Sequence, residues 1–291
     1  MGWQFWIDRG GTFTDIVAIA PDGAMKTLKL LSEHPERYPD AAVAGIKSIL
    51  GLELRERIPA GAIDVIKMGT TVATNALLER KGARTLLVVN GGFADLLKIG
   101  TQARPRLFDL DIHLPTALYE RVFESAGRVT AQGTEIEPVD AVAARDAFTR
   151  ARKDGIQSCA IALIHAWQFP EQERELAALA RAAGFERISV SHEVSPLLGL
   201  VPRGATTVVD AYLSPVLRHY VEQLAAQVAG TPLLFMQSNG GLVDAAAFQG
   251  KDALLSGPAG GIVGAVRTAG QAGITHLIGF DIDVYKRQLY T

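Results

Sequence analysis

The chain has 291 residues, of which 48% are hydrophobic and 21% charged, and a formal net charge of -2. That length allows two domains or one large α/β domain with insertions, and the composition is that of an ordinary soluble, globular protein. A near-neutral chain does not attract nucleic acid or an anionic membrane surface, which argues against a general binder of either and still allows a local basic site. In chain order, "WQFWI", "DIVAIA" and "AMKTLKLL" predict a three-stranded meander, with Pro21, Asp22 and Gly23 as one of its turns. Asp40 to Leu50 carries apolar residues at helical spacing. "AIDVIKMGTT" predicts a strand running into a loop, and "VATNALLERKG" a helix ended by Gly82. "RTLLVVN" predicts a short buried strand and "FADLLKIG" a helix, before a less regular stretch from Thr101 to Pro138.

Asp140 to Lys153 then predicts a helix with an Asp cap and Gly155 behind it. "IQSCAIALIHA" predicts a buried strand, Glu171 to Ala183 a helix stopped by Gly184, and "RISVSHEV" another strand. A helix at Leu213 to Val228, the strand "PLLFMQS", a helix at Pro258 to Ala272 and the strand "HLIGFD" complete the series. Strands alternating with helices predict an α/β protein with a parallel or mixed sheet, and the antiparallel opening disfavours a pure Rossmann fold.

"IDRGGTFTDIVAIA" concentrates chemistry. Gly10 and Gly11 let the backbone bring successive N–H groups toward an anion, Thr12 and Thr14 add hydroxyls, and Asp8 can hold a hydrated Mg²⁺. The stretch lacks the lysine of a Walker loop and is not GxGxxG. A glycine hairpin with polar decoration is the alternative. Gly69, Thr70 and Thr71 precede a helix whose positive end favours anions, with Asn75 one turn in; a plain N-cap is the alternative. Ser238, Gly240 and Gly241 follow a predicted strand, and Gly257, Gly260 and Gly261 open a helix with Pro258 in its first turn. Both loops are expected at the carboxyl ends of strands, where α/β sheets gather ligands, although turn and cap chemistry would also account for them.

Arg104 and Arg106 match a small acid's carboxylate by guanidinium geometry, or are solvated loop arginines. His165 ends a buried strand and is expected to be structural; Cys159, the single cysteine, excludes an internal disulfide and is expected to be a small buried hydrophobe. No Cys/His cluster has metal-ligand spacing. The start has no basic leader with an apolar core, Trp6 stands where a myristoylation signal needs Ser or Thr, and no apolar run approaches the roughly 18 residues of a membrane span. The cytoplasm is the expected address.

These motifs together resemble a family. "DRGGTFTD" resembles the first phosphate motif of the actin, hexokinase and Hsp70 superfamily. With "MGTTVATNALLERKG", "IGTQARPRLFDL", "ATTVVDAYLSPVLRHY", "MQSNGGL" and "SGPAGGIVGA" in the same order, the chain resembles the front of the hydantoinase A and 5-oxoprolinase family, to about Asp281. The resemblance implies a ribonuclease-H-like, actin-like ATPase fold with a mixed sheet and helices on both faces. It implies an N-terminal domain over 1–204, the start of a hydantoinase A domain over 205–281, and a tail at 282–291 that departs from the family. Arg9, "LKLLSE" and "IGTQAR" are most similar to the ATP-dependent 5-oxoprolinase branch, which converts 5-oxo-L-proline, ATP and water to glutamate, ADP and phosphate in glutathione breakdown.

The resemblance further implies ATP and Mg²⁺, with a monovalent cation as a further candidate. Asp8 and Asp281 become metal residues, and Arg9 joins the phosphate set. The implied partners are a small cyclic amide, the remainder of an oxoprolinase chain or a hydantoinase B-like subunit, and further copies in a homo-oligomer. An ATP-dependent hydantoinase, an acetone-carboxylase-type subunit and a non-catalytic nucleotide-binding module are the alternatives. After Asp281 the family continues with a second glycine-threonine loop where this chain reads "IDVYKRQLYT", so the isolated chain is expected to hydrolyse little or no ATP.

Overall fold

The computed structural model describes residues 1–101, 108, 115–228, 230–283 and 286–290, with the backbone alone for 280–283 and 286–290. The chain divides into two compact units, one of Met1–Leu78 with Leu217–Thr291 and one of Glu79–Val216.

The first unit opens with the expected meander. Strands β1 (Trp3–Arg9), β2 (Phe13–Ile19) and β3 (Met25–Leu31) pair antiparallel in sequence order. Phe5 and Ile7 of β1 and Ile16 and Ala18 of β2 are buried, while Asp8 and Asp15 stand on the other face, as period-two alternation requires. Helix α1 (Ala41–Leu50) covers the buried face. Asp40 caps it by accepting from Val43 N at 2.9 Å, and Gly51 closes it at φ 74°. Strand β4 (Ile63–Thr70) lies parallel to β1, and α2 (Val72–Leu78) follows. This helix ends four residues short of Gly82. Arg80 makes the left-handed turn at φ 57°, and Gly82 serves contact instead: a Cβ there would lie 2.1 Å from the Tyr212 ring.

The second unit begins here. Strand β5 (Thr85–Asn90) is buried along its whole length, as a central parallel strand should be. The short helix α3 (Leu96–Ile99) follows. The stretch read as irregular contains three strands, β6 (Arg121–Ser125), β7 (Arg128–Val129) and β8 (Glu135–Glu137). Helix α4 (Ala141–Lys153) has Asp140 as its cap and Gly155, at φ 83°, behind it. Strand β9 (Ser158–Ile161) is shorter than the apolar run around it, which turns away through His165 at φ 60°. Helix α5 (Glu171–Ala182) leads to β10 (Arg187–Val190). "SHEV" is not strand but the short helix α6 (Ser191–Val194), because the buried carboxylate of Glu173 accepts from Ser191 Oγ and from the N and Nδ1 of His192. The sheet is all parallel, in the order β10-β9-β5-β6. Leu86, Val88 and Ile161 pack with Phe148, Leu176 and Phe185 in one core; Leu87, Val89 and Ala160 pack with Val208 and Ala211 in another.

Helix α7 (Leu200–Gln227) returns the chain to the first unit. It starts thirteen residues before the expected Leu213, since Pro202 falls in its first turn, where a missing N–H costs nothing. Strands β11 (Leu233–Met236) and β12 (Leu242–Asp244) complete a six-stranded mixed sheet in the order β12-β11-β4-β1-β2-β3. A 3-10 turn at Ala245–Ala247, α8 (Gly250–Ala253), α9 (Ser256–Gln271) and a hairpin of β13 (Gly279–Asp283) with β14 (Lys286–Tyr290) end the chain. Among the described residues no helix is long and apolar enough to cross a membrane.

Candidate functional site

The carboxyl ends of β1 and β4 and the start of α9 meet at one cleft of about 510 Å³ in the first unit. Its polar lining includes Asp8, Asp15, Lys67, Gly69, Ser256 and Gly257, and its apolar part Trp6, Val17, Met236 and Leu242. A few polar groups in an apolar recess of this size make a typical small-molecule site.

Asp8 reaches this cleft because β1 alternates, and because its neighbour across the parallel ladder is Gly69. A Cβ on Gly69 would lie 3.1 Å from Asp8 Oδ1, so glycine makes room for the carboxylate. Across the antiparallel ladder Asp8 faces Asp15, and like charges directly opposite repel. Lys29 compensates Asp15 from β3, its Nζ 2.9 and 3.0 Å from the two carboxylate oxygens. Among the described residues no three His, Cys, Asp or Glu side chains group to hold a metal. The donor set fits Mg²⁺, which keeps several waters and takes one or two carboxylates.

The turn after Asp8 has an ordered inner side and an open outer side. Gly10 N donates to Phe13 O at 3.0 Å. The amides of Gly11 and Thr12 donate to none of the described residues, and both residues are exposed. Thr14 does not enter the cleft; it is fully buried, with its hydroxyl 2.9 Å from Ser32 Oγ. Arg9 lies on the opposite face of β1 from Asp8. Its guanidinium carbon sits 4.9 Å from the Tyr220 ring centroid, and its Nε lies 3.9 Å from Asp40 Oδ2, beyond hydrogen-bond reach. Burial first, then the Asp40 carboxylate, pushes the Tyr220 phenol up, with Arg9 pulling the other way.

The second motif abuts the first. Thr71 donates its amide and hydroxyl to Arg9 O at 3.1 and 3.2 Å, and Asn75 Nδ2 donates to Thr71 Oγ1 at 3.2 Å. A Cβ on Gly11 would lie 3.2 Å from Asn75 Nδ2. Thr70 is buried, and its hydroxyl accepts from Val72 N at the start of α2. Its carbonyl accepts from Ser256 Oγ at 3.2 Å, which ties the α9 motif to the same place. Gly257, Gly260 and Gly261 line the cleft. Leu255, just before them, is a non-glycine residue at φ 58°, a strained conformation of the kind that collects at functional sites.

Ser238, Gly240 and Gly241 are not in the lining. They form the β11–β12 turn, where Gly240 N donates to Gln237 O, Gly241 N to Asn239 Oδ1 and Ser238 N to Asp252 O. Arg104 and Arg106 lie outside the described residues, as does the side chain of Asp281, whose backbone is in β13. Sequence reading missed Lys67, which stands 4.9 Å over the Trp6 ring, and Asp15. Period-two spacing could have found both, since Lys67 precedes Gly69 by two residues and Asp15 faces Asp8 in the hairpin register.

Comparison with known proteins places these motifs in context. A family model described as the hydantoinase/oxoprolinase N-terminal region matches residues 4–184, and one described as hydantoinase/oxoprolinase matches 203–282. "5-oxoprolinase 1" of Arabidopsis thaliana is 42% identical over 96% of this chain and 24% of its own. The chain thus spans about a quarter of the length of the 5-oxoprolinases it matches. The crystal structure of the ATP-dependent caprolactamase from Pseudomonas jessenii superimposes with a TM-score of 0.79 at 30% identity, over 96% of this chain and 42% of that one. Nucleotide-free acetone carboxylase gives 0.78 at 22% identity with the same coverage, which speaks to the fold alone. The mixed sheet and these neighbours make the fold that of an actin-like ATPase.

Proposed function

The chain belongs to the hydantoinase/oxoprolinase family, and from that premise we propose that it carries the phosphate-handling part of an ATP-dependent 5-oxoprolinase. The observation that carries this reading is the pair of exposed residues Gly11 and Thr12, whose amides donate to none of the described residues, in the turn that directly follows the β1 end bearing Asp8, a residue of the cleft lining. Donors fixed before a ligand arrives stabilise phosphate charge without reorganising.

In this reading Asp8 orients a hydrated Mg²⁺, with Asp281 as a second carboxylate. Gly11 and Thr12 donate to phosphate oxygens, while Gly10 and Thr14 shape the turn. Thr71 and Asn75 set the height of that turn through the Arg9 carbonyl, and Arg9 steadies it from the far face against Tyr220. Gly69, Thr70, Gly257, Gly260 and Gly261 keep the approach narrow, and Ser238, Gly240 and Gly241 hold the β11–β12 turn. ATP supplies the phosphoryl group that, on the lactam oxygen, makes the ring carbon electrophilic; one water adds there and the ring C–N bond breaks with its nitrogen protonated, and a second water releases phosphate from the resulting acyl phosphate. Arg104 and Arg106 are assigned to the substrate carboxylate, which 5-oxo-L-proline has and a simple lactam lacks. The same reading gives an oxoprolinase N-terminal domain over 1–204 and the start of a second domain over 205–281. It adds a longer chain or separate subunit as partner and a cytoplasmic role in glutathione breakdown.

Titration calorimetry tests the nucleotide reading. Wild-type chain is expected to bind Mg-ATP, and Asp8→Ala to lose that binding while keeping its melting temperature. A wild-type chain without Mg-ATP binding, or an Asp8→Ala variant that binds equally well, would overturn it. Saturation-transfer NMR with 5-oxo-L-proline, hydantoin and caprolactam in the presence of Mg-ADP tests the substrate. A preference for either uncharged ring would move the assignment within the family.

A further inference from the structure

Ser32 follows β3 by one residue and reaches back beneath the β1–β2 turn. It is 3% exposed. Its hydroxyl donates to the Gly10 carbonyl at 2.7 Å and stands 2.9 Å from Thr14 Oγ1. A hydroxyl has one proton to give, so the second bond runs from Thr14 to Ser32. The Ser32 amide donates to the Thr12 carbonyl at 2.8 Å. One buried residue therefore holds two of the turn's three carbonyls, those of Gly10 and Thr12.

Peptide geometry carries the consequence to the outer side. The Gly10 carbonyl and the Gly11 N–H belong to one planar trans peptide and point in opposite directions. Drawing the carbonyl down onto Ser32 aims the Gly11 N–H away from β3, where it meets no described partner. We infer that Ser32 is the positioning residue of the phosphate turn: its hydroxyl sets the peptide orientation that presents the Gly11 amide. This inference rests on the reading of the turn as a phosphate site, and it concerns a residue that never touches the phosphate. A Cβ on Gly11 would lie 3.2 Å from Asn75 Nδ2, so that side chain also limits where the turn can settle.

The test uses the 291-residue chain labelled with ¹⁵N-glycine, read by NMR, calorimetry and thermal melting. Ser32→Ala is expected to weaken Mg-ATP binding about five- to tenfold, in line with losing one or two net hydrogen bonds, and to shift and broaden the Gly11 amide resonance. Ser32→Thr keeps the hydroxyl and is expected to hold the affinity to within about twofold of wild type, since the donor to the Gly10 carbonyl is retained. Thr85→Val, which breaks the buried hydroxyl pair between Thr85 and Ser158 at 2.9 Å, is the control: it lowers the melting temperature and leaves the Gly11 resonance in place. A Ser32→Ala chain with unchanged affinity and an unchanged Gly11 resonance would overturn the inference. Should Ser32→Ala fail to fold, Ser32→Cys, whose thiol is only a weak donor to the Gly10 carbonyl, is read the same way, no change again counting against the proposal. If wild type does not bind Mg-ATP the phosphate reading fails, whereas the glycine resonances still decide whether Ser32 orients the turn.

Discussion

Gly69 and Gly82 are both glycines without a left-handed φ, and each is required by a neighbour. At Gly82 the neighbour is the Tyr212 ring, a matter of packing; at Gly69 it is the Asp8 carboxylate. The two sites therefore respond to different measurements. Gly69→Ala adds a methyl to an extended backbone, which by itself favours the strand by about 0.5 kcal/mol. The same methyl pushes the Asp8 carboxylate off its position, and an affinity loss of about tenfold corresponds to about 1.4 kcal/mol. We expect a melting temperature equal to or above wild type together with weaker Mg-ATP binding by calorimetry; undiminished binding would remove Gly69 from the site. Arg9 was legible as a charged residue in the motif, but its direction was not. Alternation along β1 puts it on the face opposite Asp8, against Tyr220, a residue more than two hundred positions away in the chain.

Elements with caps written into them were the readable ones. Asp40 and Asp140 each cap a helix by side-chain acceptance, and Gly51 and Gly155 follow the helix ends with left-handed φ. Asp140 Oδ1 accepts from Val142 N and Ala143 N, both at 3.0 Å. Asp140→Ala leaves those donors to water and is expected to cost about 1 kcal/mol, the usual worth of an N-cap. Urea denaturation reads it, and a loss under about 0.2 kcal/mol would show the cap to be idle. The misread elements were those whose ends are set from outside. Helix α7 starts early across Pro202 and Gly204 because its own Arg203 and Thr207 are fully buried, Arg203 Nε donating to Ser191 Oγ at 2.9 Å. Strand β10 stops at Val190 because the Glu173 carboxylate collects the next two residues. No local pattern announces a carboxylate arriving from eighteen residues upstream.

At the scale of the molecule, the second unit is inserted into the first: the chain leaves the mixed sheet after β4 and α2 and rejoins it at β11. Each unit closes its own core, and Cys159 reports on the second. Burial pushes its thiol well above the ordinary range, and its side chain is fully enclosed. Only the thiolate reacts, so iodoacetamide is expected to label native protein slower by orders of magnitude than urea-unfolded protein. Because the folded thiol's pKa is raised, this contribution to stability is complete below pH about 8.5 and falls as pH rises, since the unfolded chain ionises first. Rapid labelling of native protein would show that the second unit opens readily. The amino-acid sequence by itself determined the alternation of strands and helices, the capped helices, the family and the motifs that carry chemistry, because these depend on residues close together in the chain. Only the tertiary structure decided which motif residues share a cleft. Thr14 and Arg9 turned inward, Asp15 and Lys67 came to line the same cleft as Asp8, and Ser32 came to lie under a turn twenty residues away. Strand register and parallel pairing across an inserted unit fix those directions, and neither is encoded in any one segment.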